Sequence, residues 1–124
     1  MVMYPITTYE KDIEWIEDGI IYTTSRMDNI ISTHQNIWIG GVDGHGGGYD
    51  RKNRYLLKHR QHNTFFYLKI YNDDECETHD EISLSEAKTI YLEWQGLKNY
   101  TEGDFKLNIY KSFKETFGKD PEVY

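Results

Sequence analysis

The sequence predicts an α+β domain, a small antiparallel β-sheet with two or three helices packed on one face. Three observations predict it. Apolar and polar residues alternate through the middle of the chain, around Tyr55, Leu57, Phe66, Leu68 and Ile70, the period of a strand with one buried face. A Ser-x-x-Glu pattern at 83–86 opens a stretch whose apolar residues recur at helical spacing. Phe105, Ile109, Phe113 and Phe117 then recur every four residues ahead of Gly118. At 124 residues the chain fits a single domain over 1–124, large enough to bury roughly two-thirds of the surface its unfolded form exposes.

Taken in order, the elements are these. Thr7-Thr8-Tyr9-Glu10 is a capping-box pattern, and Tyr9, Ile13 and Ile16 follow on one helical face up to Gly19, which favours a helix there. The rival is a hairpin of 13–16 and 20–24 turning on Glu17-Asp18-Gly19. Residues 20–25 read as a strand, and 29–39 hold a second extended segment. A further hairpin follows. With Gln61-His62 as its turn, Tyr55 faces Leu68, Leu57 faces Phe66 and Asn53 faces Ile70. One face then buries a core, while Arg54, Lys58, Arg60 and Lys69 share the other with Leu56, Phe65 and Tyr67 as a basic, aromatic surface.

Ser83 opens the clearest helix. Its hydroxyl can accept from the Glu86 N–H while Glu86 reaches back, and Leu84, Ala87, Ile90, Tyr91 and Trp94 line one face before Gly96. The last segment reads as an amphipathic helix from Phe105 to Phe117, although Phe105-Leu107-Ile109 also alternates like a strand.

The net charge is −7 and unevenly spread. Residues 10–18 and 73–86 are acidic, the second carrying Asp73, Asp74, Glu75, Glu77, Asp80, Glu81 and Glu86 without a Lys or Arg. Residues 51–60 hold Arg51, Lys52, Arg54, Lys58 and Arg60 without an acid. An acidic protein is a poor general DNA binder, because phosphate contact needs basic surface. Acidic clusters instead serve as solvated faces that keep a protein soluble, or match basic partners. In the register above Arg51 and Lys52 lie near Asp73, Asp74 and Glu75, so part of the basic cluster can pair internally, whereas Lys58 and Arg60 lie far from that segment. No basic n-region or apolar h-region opens the chain, no apolar run reaches the ~20 residues of a bilayer span, and Cys76 is alone. The expectation is a cytoplasmic protein without membrane contact.

Six of the ten glycines lie in 40–48, directly before the basic stretch. The loop matches neither G-x-G-x-x-G nor the P-loop pattern. His45-Gly46-Gly47-Gly48 matches an esterase oxyanion string, but no G-x-S-x-G elbow accompanies it. A mobile connector or a generic anion site remains, the latter using Gly44, Gly46, Gly47 and Tyr49 with Arg51 and Arg54. His59-x-x-His62 and Cys76-x-x-His79 have zinc-type spacing. A strand over 64–71 spans about 26 Å and holds them apart, so neither metal nor cofactor is expected. Asp43 and His45, with His34 or His79-Asp80, are the legible acid–base pairings. No nucleophile sits beside a base, and acidic surroundings disfavour a Cys76 thiolate.

The chain is short, acidic and rich in Tyr, Ile, Lys and Asp, with a Ser-Leu-Ser-Glu-Ala helix start. In this it resembles small phage-encoded inhibitors of bacterial defence, such as anti-CRISPR proteins, and toxin-immunity proteins. The resemblance is one of style and carries no residue across. It implies a non-catalytic protein that binds and blocks a macromolecular effector such as a nuclease complex or a toxin. The candidate contacts are Asp73, Asp74, Glu75, Glu77, Lys58, Arg60 and Tyr67. The alternatives are a nucleotide or anion binder using the glycine loop, and a small hydrolase or transferase. An exposed hairpin edge also allows a homodimer.

Overall fold

The computed structural model describes residues 12–39, 47–71 and 75–124, and within them seven strands and two α-helices. β1 (Glu14–Glu17) and β2 (Ile20–Thr23) form a two-stranded sheet of their own. β3 (Met27–Ile39), β4 (Gly48–His59), β5 (Phe65–Tyr71), β6 (Glu75–Ile82) and β7 (Lys106–Ile109) form an antiparallel sheet in the order β6-β5-β4-β3-β7. α1 (Leu84–Gln95) and α2 (Phe113–Phe117) complete an α+β arrangement.

Residues 13–24 take the hairpin alternative, not the helix. Asp18 and Gly19 adopt φ of 52° and 76°, the backbone of a two-residue turn whose twist suits antiparallel strands. Trp15 pairs with Tyr22 and Ile16 with Ile21. Thr24 closes the open end: its N–H donates to the Ile13 carbonyl (3.0 Å), and its Oγ1 accepts from the Ile13 N–H (3.1 Å). A helix would have buried Ile13 and Ile16 together. The strand instead buries Trp15 and turns Ile16 outward. The start of the expected helix, residues 7–11, lies outside the described residues.

The β4–β5 register is the expected one, with Tyr55 opposite Leu68, Leu57 opposite Phe66 and Asn53 opposite Ile70. The connection is longer than two residues. The His59 N–H donates to the Thr64 carbonyl (3.0 Å), and 60–64 lie between the strands. Neither Gln61 nor His62 favours the positive φ that a two-residue turn requires.

Both faces of this sheet bury side chains. Tyr55, Leu57, Phe66, Leu68 and Ile70 form a core with Met27 and Trp15 on the face covered by the β1–β2 hairpin. The opposite face was expected to be a basic, aromatic surface, and here the structure corrects the expectation. Leu56 and Phe65 are buried there beside Ile30, Ile31, Ala87, Tyr91, Trp94 and Phe113 of β3, α1 and α2. A bulge between Asn29 and Ile31 turns both Ile30 and Ile31 into this core. Three of the cations expected there lie over rings, Arg54 5.1 Å from the Trp94 centroid, Lys58 5.8 Å from that of Phe65 and Lys69 5.4 Å from that of Tyr71, while Arg60 pairs with Asp28.

α1 starts as its sequence predicts, with Ser83 accepting from the Glu86 N–H (3.1 Å) and Glu86 accepting from the Ser83 N–H (3.0 Å). The last segment splits. Alternation prevails at Phe105-Leu107-Ile109, where β7 pairs with β3, and a second capping box of Ser112 and Glu115 restarts the chain as α2. Gly118 ends α2 at φ 88°. The Tyr91 hydroxyl donates to the Lys111 carbonyl (2.8 Å), tying α1 to the turn between β7 and α2.

Candidate functional site

Strand alternation sorts the hairpin into two surfaces. Trp15 and Tyr22 point at the sheet, where Trp15 stacks on Tyr22 (5.6 Å) and His79 (4.9 Å) and meets Phe66 edge-on (5.8 Å). Ile16 and Ile21 are a cross-strand pair on the outer surface, 71% and 63% exposed. Residues 12–25 carry Asp12, Glu14, Glu17 and Asp18 and no Lys or Arg. The field of these acids is felt locally: desolvation and then the carboxylates of Glu81, Glu17 and Asp18 raise the Tyr22 phenol above its usual range. By alternation the outer surface carries the Ile16–Ile21 pair with Glu14 beside it, while Glu17 shares the inner surface with Trp15 and Asp18 stands in the turn. Between β2, the Thr24–Arg26 turn and the 59–66 connection lies a cleft of about 420 Å³ whose lining includes Tyr22, Arg26, His59, His62 and Glu81.

His59 and His62 lie with ring centroids 4.8 Å apart, but their arrangement is not that of metal ligands. The Gln61 N–H donates to His59 Nδ1 (3.1 Å), which places the proton of the neutral ring on Nε2. A metal-binding imidazole needs the reverse, a free nitrogen backed by an N–H on the other side. His79 is stacked on Trp15, and the Cys76 side chain is outside the described residues. Among the described residues no three His, Cys, Asp or Glu side chains are grouped to hold a metal ion.

The same sheet face, beyond the hairpin, is polar. The His34 ring is held from both sides, by Ser32 Oγ at Nε2 (3.0 Å) and Asn53 Oδ1 at Nδ1 (2.8 Å). With Asn53 Oδ1 accepting, Nδ1 carries the proton and Nε2 accepts from the Ser32 hydroxyl. This is the connectivity of a nucleophile, base and orienting group, yet Ser32 is completely buried. A substrate carbonyl cannot reach it, so the relay works as a clamp on the ring. His34 forms the floor of a trough of about 370 Å³, with Arg51 and Lys106 on either side and Asp104 at its rim. The segment Glu102–Asp104 closes on β3: Gln35 Nε2 donates to the Glu102 carbonyl (3.2 Å) and Asn36 Nδ2 to Asp104 Oδ2 (3.2 Å). Gly103 permits this approach, since a Cβ there would lie 2.4 Å from the Asn36 carbonyl oxygen.

The residues predicted for an anion site separate. Gly44 and Gly46 lie outside the described residues, Gly47 precedes β4, and Tyr49 is placed in β4 by its backbone alone. Arg51 and Arg54 point to opposite faces. Arg51 is exposed above the trough, whereas Arg54 Nε donates to Thr33 Oγ1 (2.9 Å) beneath α1. The predicted partner contacts are equally dispersed. Asp73 and Asp74 are outside the described residues, while Glu75 and Glu77 belong to the edge strand β6. Lys58 lies over Phe65, and Tyr67 packs half-buried 6.1 Å from the Trp94 ring. Arg60 binds Asp28 (2.8 Å) and the Ser25 carbonyl (2.8 Å), clamping the start of β3. Asp43 and His45 fall outside the described residues.

Sequence reasoning missed two things: the Ile16–Ile21 pair, which the hairpin alternative contained, and the Ser32–His34–Asn53 relay, which needs the β3–β4 pairing. No protein-family profile, curated protein or solved structure matches the chain. Among the described residues no helix is long and apolar enough to cross a membrane.

Proposed function

We propose that this is a non-catalytic binding protein that docks on a basic surface of a macromolecular effector and blocks it. Bacterial defence nucleases and toxins are the effector class that the sequence resemblance implies. The observation that supports this reading is the outward Ile16–Ile21 pair, 71% and 63% exposed, in a hairpin that carries three acids, Glu14, Glu17 and Asp18, and no Lys or Arg. Apolar side chains supply contact energy once water is excluded, and the net acidity of the hairpin steers a basic partner. The acids expected at 73–77 are replaced in this reading by Glu14, Glu17 and Asp18. The Ser32–His34–Asn53 relay does not argue for acyl transfer, because Ser32 is buried.

The test compares the tagged protein with Ile16→Lys/Ile21→Lys, folded by circular dichroism, as bait in one bacterial lysate. A stoichiometric basic partner retained by the parent protein, and bound about tenfold or more weakly by the variant, is the expected result. Reversing Glu14 and Glu17 to Lys should flatten the salt dependence of the same complex. Equal retention by parent and variant rejects the hairpin as the docking face.

A further inference from the structure

We infer that the trough on the polar end of the sheet is a binding site for a mononucleotide, with the base stacked on Trp38 and the phosphate held between Arg51 and Lys106. The geometry is set by β3. Trp38, Asn36 and His34 alternate onto the same face, and Trp38 and His34 stand about 13 Å apart along the strand at ~3.3 Å per residue. Arg51 pairs opposite Asn36 from β4, and Lys106 opposite His34 from β7, so one cation flanks the line on each side. A second hollow, beside Trp38, shares Gln35, Asn36 and Asp104 with the trough of about 370 Å³.

Each group has a matching part on the ligand. Trp38 is 57% exposed, and an indole face is a stacking platform for any nucleobase. Arg51 and Lys106 supply charge-assisted donors to a phosphate. Asp104 accepts a hydrogen bond from Asn36 at one oxygen and keeps acceptor capacity, which suits a ribose hydroxyl. The Ser32–His34–Asn53 relay fixes the floor, so the site is preorganised.

Tryptophan fluorescence tests the inference directly. Trp15 and Trp94 are 7% and 5% exposed, so a ligand stacking from solvent acts on Trp38. Titration with AMP should quench the emission saturably within the low-millimolar range, and inorganic phosphate should compete. Adenosine, without the phosphate, should bind about tenfold more weakly, as should AMP to Arg51→Ala/Lys106→Ala, both exposed positions. Trp38→Phe should abolish the signal. The inference is overturned by an absence of saturable quenching, by equal affinity for adenosine and AMP, by AMP affinity unchanged in the double variant, or by quenching that persists in Trp38→Phe.

Discussion

Truncating Trp15 to alanine should release the β1–β2 hairpin while leaving most of the larger sheet folded. Trp15 is 7% exposed and is the hairpin's main anchor, touching Phe66, Tyr22 and His79. A buried tryptophan withdraws about 200 Å² from water. At about 25 cal/mol per Å² this corresponds to about 5 kcal/mol, an upper value because the unfolded chain hides part of that surface. Large aromatic truncations cost about 3–5 kcal/mol. An isolated two-stranded hairpin is marginal in water, so the loss falls first on the hairpin. The helix-covered core of Leu56, Phe65, Tyr91 and Trp94 does not contain Trp15. Native-state hydrogen exchange is the assay. Amides in β1–β2 should lose protection by about 10²–10³-fold, with a smaller loss in β4 and β5. Unchanged protection in the hairpin refutes Trp15 as its anchor, and an equal loss in β4 and β5 refutes the hairpin as a separable cover.

Other perturbations follow from single sites. Gly103→Ala meets the Asn36 carbonyl at 2.4 Å as well as a positive φ, whereas Gly19→Ala meets only the positive φ. The first should cost clearly more than the ~1–2 kcal/mol expected of the second, read as urea unfolding midpoints. Burial pushes the Asp28 carboxyl up, but hydrogen bonds and charge from Arg60 and Lys111 outweigh it and the net shift is downward. Asp28 therefore adds stability that is present above its ordinary carboxylate range and lost as pH falls through its lowered folded value. Asp28→Asn should lower the midpoint at neutral pH, and the gap to the parent protein should close in acid. Burial first, then the charges of His62, Arg26 and Arg60, lower the His59 imidazole. The folded state thus binds fewer protons there, and stability falls as pH drops from the ordinary histidine value through the folded one. The His59 NMR titration should lie below that of a model histidine and recover only part of the shift in His62→Ala.

Local signals that agreed with the fold were legible. The β4–β5 register followed from alternation at Tyr55, Leu57, Phe66, Leu68 and Ile70, and the start of α1 from the reciprocal Ser83–Glu86 cap. Where two local patterns competed, sequence could not arbitrate. Ile13 and Ile16 fit a helical stripe, but Asp18-Gly19 supplies a turn, and packing of Trp15 on Phe66 decides for the hairpin. Leu56 and Phe65 look like part of a basic surface because Arg54 and Lys58 share their face, and only the tertiary packing places Arg54 over Trp94 of α1 and buries Leu56 and Phe65 beneath the helices. The His34 relay was hidden for another reason. It joins residues 19 apart in sequence, through a β3–β4 pairing that a bulge at Asn29/Ile31 shifts by one residue. The trough thus depends on long-range register, which the alternation of one strand does not encode, whereas the Ile16–Ile21 surface depends on which of two local patterns the packing of Trp15 selects.

Hydrogen-exchange footprinting of the captured complex locates the docking surface, proposed to be the outer face of the hairpin. Docking there should give new protection concentrated in Glu14–Glu17 and Ile20–Thr23, with α1 and α2 unchanged. Protection confined to the helices or to the β6 edge, with the hairpin exchanging as in the free protein, contradicts it.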